Sequence, residues 1–297
     1  MTDTAAALTA EQWDRIRQIV HDEALRARVA ASFLPLYGPL PGATETVPRN
    51  LLGVSHGRLA VNDHDVLRIG RVSINVTLRH HMLADPEMAA AGILFRRAAE
   101  IIARYEDAIV FNGRPSDDPK DVRGVGGLDA AGVRLGGADH YDGLVTLVPS
   151  DHEVSFGGGS GSPGVEVFQA VVEAILKLEE AGHTRPFACV LSNDLFTAIN
   201  IPLPNSMVLP RDSIPPYLDG GPLLRTSCLE RGTGLVLSLS GEPAEIVVPS
   251  DISVRYLHAN DEGHHVFRVS QRFVLRVKEP HALALVRRGA RTAAVAA

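Results

Sequence analysis

Cysteine and tryptophan are scarce in this chain of 297 residues, which contains two cysteines and one tryptophan. Cys189 lies within the apolar segment 187–191, which predicts a buried strand rather than part of a disulfide framework. No apolar run approaches the roughly 20 residues that span a bilayer, and the first residues lack the basic start and hydrophobic stretch of a signal peptide. These absences favour the reducing cytosol, and we expect a cytoplasmic location.

An excess of positive charge is also missing. The 29 basic side chains stand against 35 acidic ones, which gives a net charge of -6. This balance would repel a polyphosphate backbone, so no nucleic-acid partner is expected. Apolar residues make up 45% of the chain and charged residues 22%, which is typical of a globular protein and excludes the disordered and low-complexity classes.

The sequence contains none of the local motifs that carry common catalytic chemistry. The glycine-rich segment 157–163 lacks the lysine and the Ser or Thr of a P-loop, and the patterns Gly-x-Ser-x-Gly and His-Glu-x-x-His do not occur. The adjacent histidines 80–81 and 264–265 would point to opposite faces of a strand and form no metal site by themselves. The acids Glu106 and Asp107 are expected to be solvated. We therefore predict no catalytic residue, no metal and no cofactor.

Three amphipathic helices are predicted from apolar residues at helical spacing. The first follows Thr9, which forms a capping-box pattern with Gln12. The second begins at Pro86, a favoured first helical residue, and ends at Gly113. The third covers residues 165–181.

Strands are predicted from runs of apolar and β-branched residues. A long hairpin is expected with its turn at residues 62–65, and two further strands are expected at 245–248 and 252–258. The last clear strand, 267–277, alternates apolar and polar residues, with Gln271 as the one polar residue on its inner face. The pattern indicates a chain that mixes helices and strands.

Several segments carry apolar or extended material that a lone globule would struggle to bury. They are the first helix, the proline-rich arm 33–48, the long hairpin and the patternless tail 289–297. Such material indicates contacts between subunits.

Four blocks of sequence, taken in order along the chain, resemble the encapsulin family. They are Leu-Thr-Ala-Glu-Gln-Trp at 8–13, Leu-Tyr-Gly-Pro at 36–39, Arg-Tyr-Glu-Asp-Ala-Ile-Val-Phe-Asn-Gly at 104–113, and Phe-Val-Leu-Arg-Val-Lys-Glu-Pro-His-Ala-Leu at 273–283. Encapsulins are bacterial and archaeal nanocompartment shell proteins, once classed as linocin-type bacteriocins. Each block is weak alone, but together they span nearly the whole chain.

The resemblance implies an α+β fold of the tailed-phage major capsid protein (Hong Kong 97) type. It divides the chain into an N-terminal helix and arm at 1–49, an extended loop at 50–83, a peripheral domain at 84–125 and 251–288, an axial domain at 126–250, and a flexible tail at 289–297.

The resemblance also implies two sites. A fivefold pore loop would be formed by Asn200, Ile201, Pro202, Leu203, Pro204, Asn205, Ser206 and Met207. A groove that binds a short targeting peptide of the cargo enzyme would be lined by Trp13, Ile16, Val20, Phe33, Leu36, Ile252, Val254 and Tyr256. Because some relatives stack a flavin on a tryptophan near the threefold axis, and the only tryptophan here is Trp13, no flavin is expected.

The function implied is that of a non-enzymatic shell subunit. It would assemble with itself into an icosahedral compartment, enclose a cargo enzyme such as a ferritin-like protein or a dye-decolourising peroxidase, and admit small solutes through pores. Two alternatives remain open at this point: a phage or prophage major capsid protein, and a soluble α/β hydrolase.

Overall fold

The computed structural model describes residues 8–55, 58–85, 87–125, 132–157, 162–203 and 207–289. These residues form two five-stranded sheets, two two-stranded sheets and six α-helices. The mixture is the predicted α+β class. None of the helices in this part of the chain combines the length and the apolar character that crossing a bilayer requires.

The helices and strands alternate irregularly along the chain. The helices are α1 (Ala10–Ala27), α2 (His80–Ala84), α3 (Ala89–Asn112), α4 (Pro163–Glu180), α5 (Asn193–Ile199) and α6 (Pro215–Leu218). The strands are β1 (Leu36–Tyr37), β2 (Thr46–Pro48), β3 (Leu51–Ser55), β4 (Arg58–Asn62), β5 (Val66–Arg68), β6 (Gly70–Leu78), β7 (Val133–Gly136), β8 (Glu153–Phe156), β9 (Phe187–Ser192), β10 (Leu223–Thr226), β11 (Thr233–Ser238), β12 (Ala244–Ala259), β13 (His265–Val277) and β14 (Leu283–Arg288).

The first sheet, in the order β1-β12-β13-β6-β7, carries the main core. Strand β13 alternates as predicted from Phe267 to Phe273, with Phe267, Val269 and Phe273 buried, but Val274 and Arg276 of the predicted wet face are buried as well. Gln271 is buried with them, at 1% exposure. Helices α1 and α3 pack together and contact this sheet, and the ring of Phe267 lies 5.7 Å from that of Phe95 on α3.

The second sheet, in the order β10-β9-β11-β14-β8, is mixed and has its own core. Helix α4 packs against β14 and β8, and it begins at Pro163, where a proline without an N–H is favoured. Strand β9 is buried along its whole length, as the apolar segment around Cys189 predicted. Cys189 and Cys228 are both buried free thiols.

Helix α3 ends where the sequence predicts but begins later. It starts at Ala89 rather than at Pro86, which lies outside the described residues. The Asp85 carboxylate accepts a hydrogen bond from the Ala89 N–H at 3.0 Å, and Met88 has a left-handed backbone with φ of 49°. These local features move the start of the helix to Ala89. At the other end, Gly113 has φ of 75°, a conformation that favours glycine and stops the helix.

The pairing of the predicted long hairpin differs from the expectation. Strand β3 pairs with β4 in antiparallel fashion, so the hairpin is formed by two strands that both precede the predicted turn at 62–65. Residues 62–65 instead connect β4 to β5, which pairs with β2 of the arm. Strand β6 joins the first sheet because its Val72, Val76 and Leu78 are buried there.

The two strands predicted at 245–248 and 252–258 are one strand, β12, of 16 residues. Pro249 lies between the predicted strands, and the pairing with β13 shifts its register between Val247 and Ser250. Proline has no N–H to donate to a neighbouring strand, so it causes an irregularity here rather than an end.

Strand pairing also crosses the predicted domain limits. Strand β7 and the first residues of β12, both assigned to 126–250, belong to the first sheet. Strand β14, assigned to 251–288, belongs to the second sheet, where it pairs with β11 on one side and β8 on the other. Residues 290–297 of the predicted tail lie outside the described residues.

Candidate functional site

Helix α1 forms one wall of the candidate groove. The Thr9 hydroxyl accepts a hydrogen bond from the Gln12 N–H, and the Gln12 side chain accepts one from the Thr9 N–H, which completes the predicted capping box. Ile16 and Val20 belong to the main core, and they and Ala24 are no more than 1% exposed. This apolar stripe therefore packs the helix against the first sheet, and Trp13, at the edge of the stripe, stays partly exposed.

The other wall is the second half of β12. Ile252, Val254 and Tyr256 alternate along the strand and are partly buried against the main core. Tyr256 and Trp13 both pack on Phe267, with ring centroids 5.3 Å and 5.8 Å from it. We call the strip formed by Trp13, Ile252, Val254 and Tyr256 the α1–β12 groove.

The eight predicted groove residues therefore do not form one surface. Ile16 and Val20 are core residues, each 1% exposed, and lie beneath the helix. Phe33 stacks on Phe111 of α3 at 6.4 Å. Leu36 pairs with Ile246, six residues before the groove begins, which is about 20 Å along the strand.

Charged groups lie buried beneath α1. The Arg28 Nε atom is 2.7 Å from Glu106 Oε2, and its Nη2 atom donates to Asp251 Oδ1 at 2.8 Å. Burial would lower the pKa of Arg28, but Glu106 and Asp251 together raise it. Burial raises the pKa of Glu106 even though Arg28 opposes the shift. Arg28 thus ties the end of α1 to both α3 and β12.

Asp107 holds the short turn that follows α1. Its carboxylate accepts hydrogen bonds from the N–H groups of Val29 and Ala30, at 2.8 Å each for the shorter contacts. Burial raises the pKa of Asp107 to about 7, although these two bonds act in the opposite direction. Asp107 therefore sets the direction in which the arm leaves the helix.

The prediction that Glu106 and Asp107 are solvated is wrong, because they are 1% and 2% exposed. Sequence reasoning also missed Arg28 and Asp251, which lie far from them in the chain. One signal was present: Tyr105 and the residues after Asp107 are apolar, and a helix that is apolar all round is buried. Acids within such a segment need partners.

The β3–β4 hairpin stands apart from the two large sheets. Every residue of β4 is exposed, including Leu59 at 71% and Val61 at 52%. The N–H of Leu52 donates to the Lys278 carbonyl at 2.8 Å, which ties the hairpin to the end of β13. The hairpin thus presents apolar side chains with no cover from the described part of its own chain.

The predicted pore loop follows α5. Pro204, Asn205 and Ser206 lie outside the described residues. The N–H of Leu203 donates to the Val208 carbonyl at 3.2 Å, which closes the base of the loop. Ile201 is 53% exposed and Met207 is 94% exposed. The loop therefore extends apolar side chains into solvent.

Comparisons with solved structures place this fold in a known class. A crystal structure of a virus-like particle from Pyrococcus furiosus aligns with a TM-score of 0.67 at 13% identity, over 93% of this chain and 100% of that one. An encapsulin from Synechococcus elongatus PCC 7942 gives 0.57 at 15%, over 97% and 95%. The capsid of Myoviridae phage XM1 gives 0.58 at 11%, over 86% and 90%. The fold is that of tailed-phage capsid proteins and encapsulins.

Sequence comparisons define the family. A family model described as an encapsulating protein for peroxidase matches residues 136–274. A type 1 encapsulin shell protein of Myxococcus xanthus is 30% identical over 93% of this chain and 92% of its own length. A diheme-cytochrome-encapsulin shell fusion protein of Kuenenia stuttgartiensis is 27% identical over 92% of this chain and 72% of its own length. The chain belongs to the encapsulin family.

Proposed function

We propose that the chain is the subunit of a closed icosahedral compartment that assembles from copies of itself, encloses a cargo enzyme and admits small solutes through pores. The β3–β4 hairpin is the observation that carries this proposal. An isolated two-stranded hairpin is marginally stable in water, and this one exposes Leu59 and Val61. A neighbouring copy that covers the hairpin would bury these side chains and remove the free strand edges.

The loop 200–207 is proposed to form the pore at the fivefold axis. Its prolines restrict the backbone, and it contains no charged residue. A stiff, uncharged ring would select solutes by width and hydrogen bonding more than by charge. The exposed Met207 is consistent with this role, because copies that meet around an axis would cover it.

The α1–β12 groove is proposed to bind the targeting peptide of the cargo. Trp13 and Tyr256 are partly buried and pack on Phe267, so each has a fixed support and keeps part of its surface accessible. A docked peptide gains about 25 cal/mol per Å² of apolar area that it buries. A short peptide buries little area, so a single site binds it weakly, and many copies of the site in one shell would supply the avidity.

The cargo would be an enzyme of the ferritin-like or dye-decolourising peroxidase class, and the shell subunit itself would not be an enzyme. Support for a peroxidase comes from the family description. Support for a structural role comes from the relative in Myxococcus xanthus, which is named as a shell protein.

Assembly is tested by size-exclusion chromatography and negative-stain electron microscopy of the purified chain. Closed particles without nucleic-acid absorbance are expected. Elution at the 31.8 kDa of one chain would favour a soluble hydrolase, and particles filled with DNA would favour a phage capsid. Leu59→Glu should reduce particle yield severalfold, whereas Leu176→Glu, at a position 52% exposed on α4, serves as the matched control.

Cargo binding is tested on shells isolated from the native host. The burial of Ile16 means that its truncation would damage the core, so the informative variants are Trp13→Ala and Tyr256→Ala. Both should lower the amount of co-purifying cargo per shell while particles still form. Leu25→Ala, at a position 55% exposed on α1, should leave it unchanged. Equal cargo in all variants would overturn the groove assignment.

A further inference from the structure

Two parallel strands of the second sheet begin side by side, and each follows a short 3-10 turn. Ser150–His152 precedes β8, and Pro280–Ala282 precedes β14. The strands pair in parallel from Leu285↔Glu153 onward, so the residues just before each strand become neighbours. Asp151, His152 and His281 meet there, and one potential ligand atom from each lies within 4.8 Å of the others. The backbone pairing of the sheet thus creates the cluster.

His152 is held in a position suited to a metal ligand. It is 5% exposed, and its Nδ1 atom is 3.0 Å from the Leu283 carbonyl oxygen. A carbonyl only accepts hydrogen bonds, so Nδ1 carries the proton and the Nε2 lone pair is left for another partner. Metal-bound histidines commonly use this arrangement, because the backbone bond fixes both tautomer and ring orientation. The His152 and His281 rings lie edge to face at 5.4 Å.

Charged groups of both signs border the cluster. Lys177 Nζ, in the last turn of α4, donates to the Asp151 carbonyl at 2.7 Å and places an ammonium beside it. His183, just after α4, lies 3.8 Å from Glu279 Oε2. Glu279 is two residues before His281, so its carboxylate adds negative charge near the cluster.

We propose that Asp151, His152 and His281 bind a divalent transition-metal ion of the zinc type. Two imidazoles and a carboxylate are donors that zinc and its neighbours in the first row accept. In a tetrahedral zinc site the ligand atoms lie about 3.3 Å apart. The side chains of Asp151 and His281 are exposed and can rotate to close the remaining distance, while His152 stays fixed.

Such an ion would join the starts of β8 and β14 at one point. A ligand that binds only the folded state stabilises it, so the ion would strengthen the second sheet. This site is independent of the groove and the pore, and its test does not depend on whether the chain assembles.

The test is a titration of the EDTA-treated full chain with Co²⁺, followed by visible absorption, and with Zn²⁺, followed by calorimetry. One equivalent per chain is expected, with the intense d–d bands of a low-coordinate Co²⁺ ion. His281→Ala and Asp151→Ala should each weaken binding by about tenfold or more. Both side chains are exposed, so the two variants should fold normally, and circular dichroism checks this.

A matched control comes from another exposed histidine–carboxylate pair. His140 Nε2 lies 3.3 Å from Asp142 Oδ1, so His140→Ala should leave the affinity unchanged. Zn²⁺ should also raise the thermal midpoint of the wild-type chain by several degrees and that of His281→Ala by much less. Binding that is equal in wild type and His281→Ala, or that His140→Ala weakens as much, would overturn the proposal.

Discussion

Replacing Arg28 with methionine should destabilise the fold strongly. The Arg28 side chain is 3% exposed and that of Glu106 is 1% exposed, so the variant leaves a carboxylate buried without its cation. Breaking a buried pair from one side costs about 3–5 kcal/mol. For 297 residues, an unfolding entropy of about 2.1 cal/mol/K per residue gives about 0.6 kcal/mol/K. The thermal midpoint should therefore fall by about 5–8 °C.

The assay is thermal unfolding followed by tryptophan fluorescence. The only tryptophan, Trp13, lies on α1, the helix whose end Arg28 anchors. Arg26→Met is the control, because Arg26 pairs with Glu23 at 2.6 Å but its side chain is 77% exposed. This control should leave the midpoint within experimental scatter, since exposed pairs contribute little.

The same variant should show a characteristic pH dependence. Burial already raises the pKa of Glu106, and loss of Arg28 raises it further. A carboxyl group whose pKa is higher in the folded than in the unfolded state favours folding at low pH, where it is protonated. Its contribution to the free energy of unfolding is lost as the pH rises. The midpoint gap between Arg28→Met and wild type should therefore narrow from about pH 8 to about pH 5. A gap no larger than that of Arg26→Met, or one that does not change with pH, would refute the reasoning.

Two further predictions concern the same helices. Asp107→Asn should flatten the pH dependence of the midpoint, because the Asp107 pKa is raised to about 7 and its contribution is lost as the pH rises through that value. A midpoint that depends on pH in Asp107→Asn as it does in the wild type would contradict the claim that burial raises the Asp107 pKa. Gly113→Ala should cost more than about 2 kcal/mol, since φ is 75° and a Cβ would overlap the Tyr141 backbone. Gly182→Ala, with φ of 91° but open space around it, should cost only about 1 kcal/mol, and equal losses would contradict the overlap.

The local features of the fold follow from neighbours in the sequence. The capping box of Thr9 and Gln12 and the glycine end of α3 at Gly113 are set by residues a few positions apart. The buried Gln271 follows from the alternation of β13 between Phe267 and Phe273. In each case short-range geometry decides the structure, and the sequence prediction is confirmed.

Long-range pairing could not be predicted in the same way. Several β-like runs between 50 and 83 offered more than one pairing, and the pattern did not show that β5 would pair with β2. The position of β14 in the second sheet depends on β8 and β11, which are distant in sequence.

The candidate groove shows the same limit. Helical spacing predicts that Trp13, Ile16 and Val20 share a face, but only the sheet beneath α1 decides that Ile16 and Val20 are covered and Trp13 is at the edge. The position of Leu36 is set by the pairing of β1 with β12, which the sequence pattern does not predict. Periodicity predicts which residues share one face of a helix, and tertiary packing decides which of them remain accessible to a bound peptide.

The central claim is that identical copies cover the β3–β4 hairpin, and sedimentation velocity of the purified chain at micromolar concentration tests it most directly. The account predicts a single megadalton species that electron microscopy shows as closed particles, and its loss in Leu59→Glu. A wild-type chain that sediments as a 31.8 kDa monomer across ordinary salt and pH would contradict it.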